Sequence, residues 1–105
     1  MRNFTLSEHM SQELSSIRAA IDAMDGSFLL LEPAMDVAIV GLVSGAGRQQ
    51  AVCYDRDKVV QVLMERDGME HDEAEEFFDF NIEGAYLGPQ TPVFISSTQT
   101  LLAFH

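Results

Sequence analysis

The sequence predicts an α+β fold, with a small and mostly antiparallel sheet that helices cover on one face. Two strand-like runs flank a glycine-containing turn, and helical patterns precede and follow them. The chain has 105 residues, of which 47% are hydrophobic and 22% charged, an ordinary composition for a globular domain with its own core. We therefore expect a single domain over residues 1–105.

The first element is an amphipathic helix within residues 1–26. Thr5 and Glu8 have the spacing of a capping box, and Gly26 is a suitable stop. Its apolar residues recur at intervals of three and four, which places them on one stripe: Leu6, Met10, Leu14, Ile17, Ile21 and Met24. The stripe suits docking on the chain's own domain, and it suits pairing with the same helix of a second chain.

A β-hairpin follows the first helix. Residues 28–31 form an apolar run, and Pro33 favours an extended connection there. Residues 37–43 are apolar and β-branched, and residues 49–54 form a second run after a turn over residues 44–48. Two such runs around a glycine-containing turn predict an antiparallel pair.

Two helices follow the hairpin. Asp55 is suited to cap a helix of about ten residues that ends at Gly68. The second helix begins near His71 and ends near Gly84. Its spacing predicts a core face of Ala74, Phe77, Phe78, Asn81 or Ile82, and Ala85.

A third strand is predicted over residues 91–95. Pro92 favours the start of that strand or an edge position, because proline cannot donate a ladder hydrogen bond. The C-terminal residues 96–105 suit either a short docking helix or an apolar tail.

One long motif resembles a family of small uncharacterised proteins encoded in phages, prophages and bacterial genomes. The resemblance covers about residues 36–95. It rests on Tyr54-Asp55-x-Asp57-Lys58, Leu63-Met64, Asp67-Gly68-Met69, Glu73-Ala74, Phe78-x-Phe80-Asn81, Gly84-Ala85-Tyr86-x-Gly88 and Thr91-Pro92-x-Phe94. It implies a phage-type accessory protein and carries no activity over to this chain.

The charge of the chain limits its partners. There are 17 acidic and 6 basic residues, for a net charge of −11. Direct nucleic acid binding needs clustered lysine and arginine, so we do not expect it. A single cysteine leaves no pair for a disulfide. No apolar run is long enough for a membrane span, and no secretory signal follows Arg2, so we expect a cytoplasmic location without membrane contact.

An acidic block of nine carboxylates lies between Glu65 and Glu83: Glu65, Asp67, Glu70, Asp72, Glu73, Glu75, Glu76, Asp79 and Glu83. Its carboxylates suit three interpretations: a solvated helix face, a surface that imitates the phosphates of nucleic acid, or a cation site formed by Asp72, Glu75, Glu76 or Asp79. Phe80 points away from the predicted core face. Together with the N-terminal stripe, the candidate partner surface comprises Glu73, Glu76, Asp79, Phe80 and Glu83.

Four polar side chains form a candidate pocket: Tyr54, Asp55, Asn81 and Tyr86. Asn81 is expected to be partly buried, and Asp55 is a better helix cap than a catalyst. His71 and Glu75 share a helix face and make half of a metal site at most.

Catalytic motifs are missing from the sequence. The histidines have no cysteine partner, and Ser44 is not in a Gly-x-Ser-x-Gly motif. The loop at residues 45–47 lacks the third glycine of a dinucleotide fingerprint. We expect neither an enzyme nor a cofactor or metal.

The sequence therefore predicts a phage-type accessory protein that acts by binding another protein, and we expect a homodimer. The alternative is an acidic inhibitor that occupies a basic, nucleic-acid-binding surface of a host protein, as anti-restriction and anti-CRISPR proteins do. A second alternative is a small enzyme or ligand-binding domain that uses the candidate pocket.

Overall fold

The computed structural model describes residues 17–24 and 26–103, and it confirms the predicted α+β class. Residues 17–22 are helical, and a 3-10 helix spans Pro33–Ala38. The strands are β1 (Ile39–Gly45), β2 (Arg48–Asp55) and β3 (Val93–Ile95). The helices are α1 (Arg56–Asp67), α2 (His71–Phe77), which continues as a π-helical turn (Phe78–Glu83), and α3 (Thr98–Leu102).

The sheet has the strand order β1-β2-β3. β1 and β2 form the predicted antiparallel hairpin, in which Gly45 pairs with Arg48 across a two-residue turn. Gly47 occupies that turn with a φ of 77°, a conformation that glycine adopts without strain. β3 pairs with β2 in parallel, with Cys53 opposite Val93, so the sheet is mixed.

The first strand begins two residues later than the sequence predicted. Residues 37 and 38 belong to the 3-10 helix, because Pro33 starts a helical turn with a φ that suits it. That turn carries Asp36 into a buried position, where it meets Arg18. The prediction of a strand from residue 37 was therefore wrong at its first two positions.

The boundaries of α1 are as predicted. The side chain of Asp55 accepts hydrogen bonds from the backbone N–H groups of Asp57, at 3.0 Å, and Lys58, at 3.3 Å. These bonds satisfy donors that the first helical turn leaves without partners. Gly68 ends the helix in the left-handed conformation, with a φ of 69°.

The core lies between the helices and one face of the sheet. Its largest fully buried side chains are Tyr54, Phe78, Met35, Leu63, Val52 and Val59. Phe94 packs edge-to-face on Phe78, with ring centroids 4.8 Å apart, which fixes β3 against the π-helical turn. The same core holds Ile21 from the helical residues 17–22.

The C-terminal segment contains the short helix α3, one of the two structures that the sequence left open. Ser97 caps it by accepting a hydrogen bond from the N–H of Thr100 at 3.1 Å. The hydroxyl of Thr100 donates to the carboxylate of Asp57 in α1. Leu101 and Leu102 remain exposed. Within the described part of the chain, no helix has the length and apolar character needed to cross a bilayer.

Candidate functional site

Two of the four candidate pocket residues have structural roles. Tyr54 is fully buried, and its hydroxyl oxygen accepts a hydrogen bond of 2.8 Å from the N–H of Leu31. Burial raises the pKa of Tyr54 above its ordinary value. The side chain of Asp55 caps the N-terminus of α1. Tyr54 is therefore part of the core, and Asp55 is a helix cap.

The other two pocket residues lie apart from Tyr54. Tyr86 is 76% exposed in the loop after the π-helical turn, and Asn81 is exposed as well. The expectation that Asn81 is partly buried was wrong. Of the two positions that the helical spacing left open, Ile82 packs against the core, which leaves Asn81 on the outer side. The structure therefore does not gather the four residues into one pocket.

Arg56 organises one part of the acidic block. Its Nη2 lies 3.0 Å from Oδ1 of Asp79, its Nη1 lies 3.6 Å from Oε1 of Glu75, and its guanidinium stands over the ring of Phe78. Partial burial opposes the charge of Arg56, but the hydrogen bond with Asp79 and the nearby carboxylates of Glu75 and Glu83 outweigh it and raise its pKa. Asp79 and Glu75 therefore face the start of α1.

The helix that carries the acidic block widens into a π-helical turn over Phe78–Glu83. In a π-helix each amide bonds to the carbonyl five residues earlier, and the N–H of Gly84 does so with Asp79 at 3.1 Å. Glu75 and Asp79, four residues apart, both contact Arg56, whereas Phe80 is 75% exposed. Glu73 and Glu76, one helical turn before Phe77 and Phe80, stay exposed and have no cationic partner among the described residues.

An apolar groove runs beside this surface. It has a volume of about 350 Å3, and apolar walls are provided by Leu31, Met35, Leu63, Phe77 and Ile82. A second lobe of about 130 Å3 shares Leu31, Asn81 and Ile82 with it and extends to Leu87 and Phe94. Phe77, which the sequence assigned to the core, is 37% exposed because it forms one wall of the groove.

The rim of the groove carries negative charge. Glu32 lies in the wall and pairs with Arg66, which also donates to Asp67 at 2.9 Å. The hydrogen bond from Arg66 lowers the pKa of Asp67. Because its guanidinium is shared by two carboxylates, Arg66 does not make the groove positive. Glu73 lies on the same side of α2 as Phe77, four residues before it.

The N-terminal stripe is only partly described. Leu6, Met10, Leu14 and the capping box lie outside the described residues. Ile21 is buried in the chain's own core, whereas Ile17 and Met24 are partly exposed. At Ile21 the stripe therefore docks on its own domain.

Three groups at the start of α2 lie close enough to share a cation: His71, Asp72 and Glu75. Nε2 of His71 is 3.4 Å from Glu75, whereas the Asp72 carboxylate lies 3.7 Å from the other ring nitrogen, Nδ1. Asp79, another predicted ligand, is held by Arg56. A hard cation takes oxygen ligands from several directions, and these groups come from adjacent turns of one helix and are largely exposed.

The residues that sequence reasoning missed are Arg56 and the groove wall. Arg56 follows the strand directly, and only its three-dimensional position shows that it neutralises part of the acidic block. The spacing of four between Glu73 and Phe77 was the available signal for an apolar wall next to a carboxylate. Comparison with protein-family models, curated proteins and solved structures finds no match for this chain.

Proposed function

We propose that this chain is a phage-type accessory protein that binds a basic protein through the outer face of α2 and the π-helical turn. We define this acidic apolar face by Glu73, Glu76, Phe77 and Phe80. The observation that carries the proposal is the exposure of the Phe80 ring beside carboxylates that have no cationic partner among the described residues. An exposed aromatic ring is typical of a protein contact.

The charge of the face supports a basic partner. Carboxylates at Glu73 and Glu76 would attract a positive surface, and the net charge of −11 would speed its approach. Phe77 and Phe80 would then supply apolar burial in the contact, which charge alone does not give. A basic host surface that normally holds DNA or RNA is one member of this partner class, and it corresponds to the inhibitor alternative.

The experiment places a photo-crosslinking phenylalanine analogue at position 80 and, as a control, at the exposed position 61 of α1. Both proteins are irradiated in a bacterial lysate at low and high salt. We expect a basic protein that is captured from position 80 only, with capture reduced by Glu73→Gln with Glu76→Gln and by high salt. Equal capture from both positions would contradict the proposal. Capture that is not reduced by Glu73→Gln with Glu76→Gln would contradict it as well. Release of DNA or RNA from the captured protein separates the inhibitor alternative from simple binding.

A second candidate function is self-association through β1. This strand lies at the edge of the sheet, carries no charged residue over Ile39–Gly45, and leaves Val40 58% exposed. An uncharged apolar edge can pair with the same strand of a second copy without opposing like charges. Sedimentation equilibrium tests this. Val40→Lys should convert a dimer into a monomer, and a wild-type chain that is monomeric throughout the micromolar range would contradict it.

A further inference from the structure

We infer that the partner presents an amphipathic helix with lysine or arginine beside its apolar stripe, and that the groove lined by Leu31, Phe77 and Ile82 takes that stripe. The inference rests on the proposed function and specifies the partner's chemistry.

The two adjoining lobes of the groove suit the side chains of a helix. The larger lobe, about 350 Å3, lies in the lower part of the range of about 300–1,000 Å3 that is typical of binding pockets. The smaller lobe continues it past the shared walls Leu31 and Ile82. Two adjoining apolar lobes accept two side chains from one face of a helix, where residues three or four apart lie next to each other.

The charge around the groove selects a basic helix. Glu32, Asp67 and Arg66 together carry one net negative charge, because two carboxylates share one guanidinium, and Glu73 lies one helical turn before Phe77. The guanidinium of Arg66, the cation in the wall, is already shared between Glu32 and Asp67. A lysine or arginine flanking the apolar stripe of the partner would therefore meet carboxylates on the rim.

Other occupants complement this charge less well. A second copy of the chain brings a net charge of −11 to an acidic rim. The chain's own N-terminal stripe carries Glu8 and Glu13 between its apolar positions. Like charges across a contact oppose binding, so both occupants are less favourable than a basic partner.

The probe is a fluorescein-labelled, 18-residue peptide of leucine and lysine arranged as an amphipathic helix, titrated with the full chain and followed by anisotropy. A scrambled peptide of the same composition and a leucine–glutamate version are the comparison ligands. We expect the amphipathic basic peptide to bind at least tenfold more tightly than either, with affinity falling as salt rises from 50 to 300 mM.

Matched variants locate the binding. Phe77→Ser should weaken it about tenfold and Glu73→Gln several-fold, whereas the controls Leu102→Ser and Glu65→Gln, on exposed residues away from the groove rim, should leave it unchanged. Equal binding of the scrambled peptide, or no effect of Phe77→Ser in a variant that still unfolds cooperatively, would overturn the inference. If position 80 nevertheless captures a basic protein, the proposed function stands, and only the inference that the partner presents a helix is wrong.

Two further results would also overturn the inference of a basic helix, each in favour of a different occupant of the groove. Tighter peptide binding in the full-length Met10→Glu, Leu14→Glu variant would show that the N-terminal stripe fills the groove. A change from dimer to monomer on Phe77→Ser in sedimentation would show that a second copy fills it.

Discussion

The guanidinium of Arg18 forms a salt bridge with the carboxylate of Asp36. Its Nε lies 2.9 Å from Oδ1 and 2.8 Å from Oδ2, and its Nη2 lies 2.7 Å from Oδ1. The same Nη2 donates to the carbonyl of Leu31, whose N–H donates to Tyr54. The helical residues 17–22 are thereby joined to the 3-10 helix and to the central strand β2, at the wall of the groove.

Replacing Arg18 with methionine should lower the free energy of unfolding by about 2–3 kcal/mol. The change leaves the carboxylate of Asp36, which is 8% exposed, without its cation, and an uncompensated buried charge is costly. Urea denaturation measures the loss. Arg48→Met, on an exposed residue of the hairpin, should change the stability by less than about 0.5 kcal/mol. Equal effects of the two variants would show that the Arg18–Asp36 pair does not stabilise the fold.

Phe78 and Phe80 should respond in opposite ways to truncation. Phe78 is fully buried, so Phe78→Ala should cost about 3–5 kcal/mol through lost burial and a cavity. Phe80→Ala should leave stability within about 0.5 kcal/mol and should abolish the salt-sensitive capture of a basic partner. Thermal unfolding and partner capture are measured on both variants. A strongly destabilised Phe80→Ala would mean that its ring packs within the fold.

The protein should lose stability in alkaline solution because of Cys53 and Tyr54. Burial raises the pKa of both, so the native state holds their protons more tightly than the unfolded state. Their contribution is complete below the unfolded pKa values, about 8.5 for cysteine and about 10 for tyrosine, and is lost as the pH rises through the folded values. Urea unfolding from pH 7 to 11 measures this fall.

Two variants serve as controls for the alkaline loss. Cys53→Ala should remove the part of the fall that begins near the lower pKa, and Tyr54→Phe the part that begins near the higher one. Tyr54→Phe should also cost about 1–2 kcal/mol at neutral pH, because the N–H of Leu31 loses its acceptor. An unchanged slope in both variants would assign the alkaline loss to other groups.

Gly84→Ala should disturb the π-helical turn. A Cβ atom at this position would lie 3.0 Å from the carbonyl oxygen of Asp79 and 3.2 Å from that of Phe80. Backbone carbonyl oxygens cannot rotate away as a flexible side chain can. We therefore expect Gly84→Ala to lower the free energy of unfolding by about 1 kcal/mol and to weaken the partner contact at Phe80. Gly45→Ala is the matched control, because its Cβ would meet only the Arg48 side chain at 3.7 Å. Wild-type stability and binding in Gly84→Ala would show that the turn tolerates a side chain.

Local chemistry explains why several elements were predictable from the sequence. Asp55 and Gly68 mark the ends of α1 through a side-chain cap and a left-handed residue, and both act within a few residues. The hairpin likewise depends on a short turn with Gly47 in it. Phe80 was placed outside the core by helical spacing alone, and its exposure confirms that placement.

Long-range contacts explain the elements that were not predictable. The parallel pairing of β3 depends on the path of residues 84–92 and on the contact between Phe94 and Phe78. The π-helical turn is joined to α1 by the hydrogen bond from Arg56 to Asp79, which lie 23 residues apart in sequence. Helical spacing alone shows neither which carboxylates meet Arg56 nor the groove beside Phe77, because both depend on residues that are distant in the sequence.

One run of carboxylates has two separate tasks. Glu75 and Asp79 hold the helix to α1 through Arg56, whereas Glu73 and Glu76 have no cationic partner among the described residues and belong to the proposed acidic apolar face. Substitutions at Glu73 or Glu76 can therefore alter which partner is chosen without loosening the scaffold.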